Sequence, residues 1–300
     1  MKFFIYLFFL SSLSLHAQTY RDTLVSKIVH YHVAESKDYA ELKAYLLELE
    51  ALEKVKNPEL LYKNLERMFQ YEDRAFFKET LTVLTEKYGF NVSYLTGKEN
   101  YYAAIIQGDL AQWFKKMYLK NHVKWLEHNL DKLVDIHTLN SLGMRDQYGH
   151  KPLTEVLEHG NLSKEQRKFV LTIDAEYFAR NGETLVEIAT RIGTLPKGNS
   201  FALIQNDYYL VEWHNLQVNY AEFFPLIYPF YKSAYLNNNI SSIYLRNIDS
   251  LRFFNTSKQV FGLLSIEELP EYLRENLKQD VIELHDPVQA QHYRAELKWE

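Results

Sequence analysis

Apolar residues recur at steps of three and four through most of this chain, and that period predicts amphipathic helices. Leu42, Tyr45, Leu46, Leu49 and Leu52 form such a stripe within residues 20–55. Asn57-Pro58 supplies a capping side chain and a first-turn proline ahead of Leu60, Leu61, Leu65, Met68 and Phe69, and a further helix over residues 73–88 closes at Gly89. Consecutive helices with short connections predict αα-hairpins. Residues 91–100 form a looser piece, and helices resume over 101–107 and 109–130, with Gly108-Asp109 as a stop followed by a cap.

Residues 140–160 break this pattern, because Gly143, Asp146, Gly149, Pro152 and Gly160 gather loop signals that are scarce elsewhere. A domain boundary near residue 140 is therefore expected. Beyond it the pattern predicts helices over 164–180, 183–192, 201–216, 220–236 and 241–254. No second copy of a tetratricopeptide-like pattern is visible. The expected fold is mainly α: a helical region over 18–139, then a helical domain over 140–300 with few or no strands.

The first 17 residues follow a different logic. Lys2, the apolar run 3–10, a Ser/Leu stretch and His16-Ala17 before Gln18 make a basic start, a short apolar segment and a small residue at a cut. The apolar stretch is too short for a membrane-spanning helix, which needs about 20 residues. This predicts an exported protein, periplasmic or extracellular, in a bacterial host. With no cysteine in the chain, neither a disulfide framework nor a cysteine-linked lipid anchor is available.

Composition sharpens the picture modestly. Only 10 Gly and 7 Pro in 300 residues suits helices joined by short loops. The net charge of −5 becomes more negative once Lys2 leaves, which disfavours a nucleic-acid ligand. The most apolar later stretch, residues 223–236, is interrupted by Pro225, Pro229 and Lys232 and reads as core, so no membrane span is expected. The 23 tyrosines are read as amphipathic core-edge residues rather than as a platform for sugars.

Standard catalytic and metal signatures are missing: there is no His-Glu-x-x-His, no Gly-x-Ser-x-Gly and no glycine-rich phosphate loop. His30 and His32 would point to different helix faces, His122 and His128 fail to align, and His285 and His292 stand two turns apart with Pro287 between them. No metal and no cofactor are expected. The sequons at Asn91, Asn161, Asn239 and Asn255 carry little meaning in a bacterial protein.

The second half holds a more specific set of short motifs: Asp146-Gln147; Gly193 and Pro196 in the stretch 192–196; Trp213-His214; Tyr244-Leu245-Arg246-Asn247; Gln259-Val260-Phe261-Gly262; and Asp286-Pro287 with Arg294. Over about residues 140–300 these motifs resemble, in order and nearly in spacing, the bacterial family grouped as domain of unknown function 6624. The resemblance points to Asp146, Gln147, Gly193, Pro196, His214, Gln259, Gly262, Asp286 and Arg294. The chain departs from the family where Asn247-Ile248 stands for Asp-Arg, where Phe261 stands for Tyr, and in the wider Gly193–Pro196 spacing.

Read as chemistry, His214 is a candidate general base oriented by Asp146 or, failing that, by Asp286. Gln147, Gln259, Asp286 and Arg294 are candidate binding residues. The alternative for His214 is a buried ring bonded to backbone, and for Gln147 and Gln259 a role in satisfying backbone groups. Two functions follow from this: a helical protein that binds a protein or a small molecule, which the missing catalytic motifs favour, and an exported hydrolase built on His214.

Overall fold

A computed structural model describes residues 20–33, 38–201, 208–269, 271–274 and 281–299. The expected export signal, residues 1–17, lies outside them, as do residues 202–207 of an expected helix. The fold is mainly α, with no strands or sheet among the described residues. The sole pairing of that kind among them is an isolated parallel bridge between Gln259 and Leu284. No helix among the described residues is long and apolar enough to cross a membrane.

Backbone contacts divide the chain into two interleaved units rather than two consecutive stretches. One comprises residues 24–140 and 195–206, the other residues 141–194 together with both ends of the described chain.

The first unit is built from α1 (Tyr20–Val33, which enters it at Leu24), α2 (Tyr39–Glu53), α3 (Pro58–Lys63), α4 (Leu65–Gln70), α5 (Arg74–Tyr88), α6 (Tyr102–Ile106) and α7 (Ala111–His128). Local signals explain several ends. Asn57 accepts from the Leu60 amide at 3.2 Å ahead of Pro58, and Asp73 accepts from the Phe76 amide at 3.2 Å. Gly89 closes α5 with φ of 64°, and a Cβ there would lie 2.5 Å from the Trp125 ring. Glycine thus allows both the left-handed cap and the close approach of α7. The expected helix after Pro58 is broken at Asn64, whose side chain turns back to the Leu60 carbonyl at 2.8 Å. Asp109 does not cap α7; Leu110 stands at that position without a side-chain cap.

In the second unit the expected loop over 140–160 is corrected to helix, the greater part of α8 (Leu133–His159). The helical stripe Ile136, Leu139, Leu142 and Asp146 is buried at steps of three and four, and Pro152 sits inside the helix. The two helices expected over 164–180 and 183–192 are one, α9 (Lys164–Ile192), running through Asn181-Gly182. It starts at a Ser163–Gln166 capping box and stops at Gly193, φ 74°. A short α10 (Gly198–Phe201) belongs to the first unit, and the second continues with α11 (Tyr209–Val218), α12 (Tyr220–Leu236), α13 (Ser242–Thr256), α14 (Glu271–Arg274) and α15 (Pro287–Glu296). Helix α9 packs on α11 and α12, and α11 packs on α13.

Two polar devices hold this unit. Asp22, with no exposed surface, accepts from the Tyr235 hydroxyl at 2.5 Å and the Ser242 amide at 3.0 Å, while the Trp299 indole donates to the Tyr235 oxygen at 2.8 Å. Asp249 on α13, also fully buried, accepts the amides of Val260, Phe261 and Leu263 at 2.6, 2.8 and 2.8 Å. Burial pushes the Asp249 carboxyl up to about 6, against the opposite pull of these amides.

Replacing Asp249 with Ala orphans three amides in or near the core, and we expect a loss of about 3 kcal/mol or more in denaturant unfolding. The folded chain holds the Asp249 proton more tightly than the unfolded chain does, so this group's contribution to stability is present below about pH 4 and is lost as pH rises to about 6. Asp249→Asn should remove that part of the pH dependence, read as the slope of unfolding free energy over this window.

Candidate functional site

Helix geometry places residues four apart on one face, so α8 presents Asp146 and His150 together, one turn apart, and α9 presents Asp174 and Phe178 in the same way. Helix α11 adds His214. Two glycines on these helices leave room for side chains of a neighbouring helix. A Cβ at Gly149 would fall 2.2 Å from the Tyr177 ring, and one at Gly182 would fall 2.8 Å from the Asn215 amide nitrogen. The Asn215 amide then donates to the Phe178 and Val211 carbonyls at 2.8 and 2.9 Å, stitching α11 to α9.

The residues that meet form two crossed His–Asp pairs. His214 Nδ1 lies 2.6 Å from Asp146 Oδ2, and His150 Nδ1 lies 2.9 Å from Asp174 Oδ2 and 3.2 Å from Oδ1. A carboxylate can only accept, so each ring donates from Nδ1 and keeps its proton there. The two rings touch, with centroids 4.9 Å apart, and Phe178 stacks on His214 at 4.2 Å and on the edge of His150 at 5.2 Å. Asp146 has no exposed surface, whereas the His214 and His150 side chains retain 12% and 29% exposure. The carboxylates are thus buried and the rings stand between them and solvent.

Charge compensation is unusual here. Among the described residues, neither carboxylate has a Lys or Arg partner; each faces an imidazole. The nearby Arg145 guanidinium is directed to Asn181 Oδ1 at 3.3 Å, and the Tyr177 hydroxyl donates to the Arg145 carbonyl. Asp146 Oδ1 accepts no hydrogen bond among the described residues. A buried charge without a cation is costly, and an imidazole able to become cationic is the group that can meet it.

Thr154 provides a hydroxyl close to this centre, but not an aligned nucleophile. Its oxygen is 3.1 Å from His150 Nε2 and 3.5 Å from Nδ1. An oxygen nearly equidistant from both nitrogens lies over the ring, since in the ring plane it would collide with the carbon between them. The in-plane lone pair of Nε2 is left to another partner. Among the described residues no group of three or more His, Asp or Glu side chains is arranged to hold a metal ion.

The other expected site residues are elsewhere. Gln147 is half-buried and turned about 100° around α8 from Asp146. Gln259 is consumed by structure: its amide donates to the Ile282 carbonyl at 3.0 Å and accepts from the Leu264 amide at 2.9 Å. Asp286 does not approach His214 but caps α15, accepting from the Val288 and Gln289 amides at 2.9 and 3.0 Å. Arg294 lies on α15 against Gly262, whose φ is 79°. His150, Asp174 and Phe178 were not singled out from sequence. The available signal was the four-residue spacing of Asp146 with His150 and of Asp174 with Phe178, hidden because 140–160 reads as loop.

A groove of about 350 Å³ also runs along α9, lined by Leu171, Thr172, Ala175, Ala179 and Asn219. Ala175 and Ala179 are each one residue on from Asp174 and Phe178, about 100° around the helix, and neither His214 nor His150 lines this groove.

Tyr177 is seated against Gly149, so Gly149→Leu should force α8 and α9 apart. The expected outcome is loss of the His150–Asp174 contact and a destabilisation of about 2 kcal/mol, read by calorimetry and by the ring proton shifts of His150. No family model, curated protein or solved structure matches the chain.

Proposed function

We propose that the chain is an exported hydrolase in which His214, held by Asp146, is the general base. The observation that carries this reading is the 2.6 Å contact between a fully buried carboxylate and the Nδ1 of a ring that still reaches solvent. With Nδ1–H committed to Asp146, Nε2 is the basic atom, and Asp146 stabilises the imidazolium formed when Nε2 takes a proton from water. Among the described residues no hydroxyl is aligned on Nε2, and this reading takes water as the nucleophile.

Asp146 and His214 are both among the positions to which the sequence resemblance to the uncharacterised family points, although no family model matches the chain. Its departure at Asn247-Ile248 bears on a different place. An acid and an arginine stand nearby on the same helix, Asp249 and Arg252, and Asp249 holds the 260–263 loop. Export rests on Lys2, the apolar run and Ala17.

A second reading, a protein-binding role, is favoured by the apolar side chains exposed along α8 and α9: Met144, Tyr148, Phe169 and Leu171 are 59%, 77%, 65% and 52% exposed.

The purified protein should turn over at least one member of a panel of carboxylic esters, phosphomonoesters, phosphodiesters and amides. His214→Gln should lower kcat/KM about 100-fold or more, with Asp146→Asn also impaired. Full activity in His214→Gln, or no turnover by the parent protein across the panel, would sink the hydrolase reading. N-terminal sequencing of protein expressed in a bacterial host should begin at Gln18.

A further inference from the structure

A base alone does not complete a hydrolysis, because the departing atom must also be paid for in protons. We infer that His150, held by Asp174, is the second proton-transfer group of this centre, and that the substrate has a leaving oxygen or nitrogen too basic to depart unprotonated. This inference rests on the reading of His214 as base.

Three observations carry it. His150 repeats the arrangement of His214: its Nδ1 is bound by a carboxylate that is itself buried, and its ring is the more exposed of the two. The rings are in contact, 4.9 Å between centroids, so one substrate can meet both. Thr154 sits over the His150 ring and leaves its in-plane Nε2 position open. The groups facing the pair are Asp146 from its own helix, Asp174 from α9 and His214 from α11, while Arg145 is turned to Asn181 and the Tyr177 hydroxyl to the Arg145 carbonyl.

The step balances without any further reagent. Water gives a proton to His214 Nε2 as its oxygen bonds to the acyl carbon or phosphorus. The bond to the leaving atom breaks with its electron pair, and that atom takes the proton from protonated His150 Nε2. Water is consumed, an acid and an alcohol or amine are released, and the rings have exchanged protonation states. Passing the proton from His214 back to His150 across adjacent rings restores the starting state. Turnover requires one ring neutral and the other protonated, which makes the rate bell-shaped in pH.

The test compares two members of whichever substrate class is turned over, one with a nitrophenyl leaving group and one with an alkyl leaving group. His150→Gln should lose about 100-fold on the alkyl substrate, little on the nitrophenyl substrate, and the alkaline limb of the pH profile. His214→Gln should lose activity on both. An equal loss on both substrates in His150→Gln marks a structural role and overturns the inference while leaving His214 as base. Retained nitrophenyl hydrolysis in His214→Gln overturns the base instead. A zinc ion bound one-to-one through both rings and needed for turnover would also overturn the acid role, since it would occupy Nε2.

Discussion

Two carboxylates, Asp146 and Asp174, are buried in the second unit without a lysine or arginine partner among the described residues, and the candidate site depends on how that charge is met. Asp146 and Asp174 lose hydration in the packed helices, and their charge is met by imidazoles, through His214 at 2.6 Å and His150 at 2.9 Å. An imidazole is a poorer permanent counter-ion than a guanidinium, but it is the one that can gain and lose a proton near neutrality. A purely structural requirement would be served better by arginine, which cannot release its proton. The histidine at both places is what the proposed chemistry rests on.

That arrangement depends on how closely three helices approach. Gly149 gives Tyr177 a seat on α8, and Gly182 gives Asn215 a seat on α9. Glycine inside a helix costs about 1 kcal/mol relative to alanine, so both positions accept a local penalty in exchange for tertiary contact. The Asn215 amide then satisfies two helix carbonyls and fixes α11, and with it the ring of His214 one residue earlier. Phe178 stacks on the His214 ring and lies tilted against that of His150.

The motifs around Gln259 and Asp286 have a different task. Asp249 gathers three amides of the 260–263 turn, Gln259 ties the same turn to the segment at 282–284, and Asp286 caps the last helix. Phe261 packs at that junction with Phe224, Tyr228, Tyr293 and Trp299. Residues that look like candidates for ligand binding are here spent on backbone groups that a loop cannot pair by itself. Their role is to hold the aromatic core that backs α12.

The helical class, the Asn57-Pro58 start, the Gly89 stop and the 220–236 helix were all determined by local sequence. Each depends on apolar period, a cap or a positive φ, which neighbouring residues set among themselves. Asp146 and His214 could be named and paired as candidates, but Asp286 stood as an alternative partner until the structure placed it at the cap of α15. The helix over residues 140–160 was not legible locally, since Gly143, Gly149 and Pro152 read as loop signals, whereas in the structure Gly149 sits inside α8 with the Tyr177 ring against it. The tertiary structure decided the second His–Asp pair, since Asp174 and His150 stand 24 positions apart in sequence on different helices, and no period within either helix records which carboxylate will meet which ring.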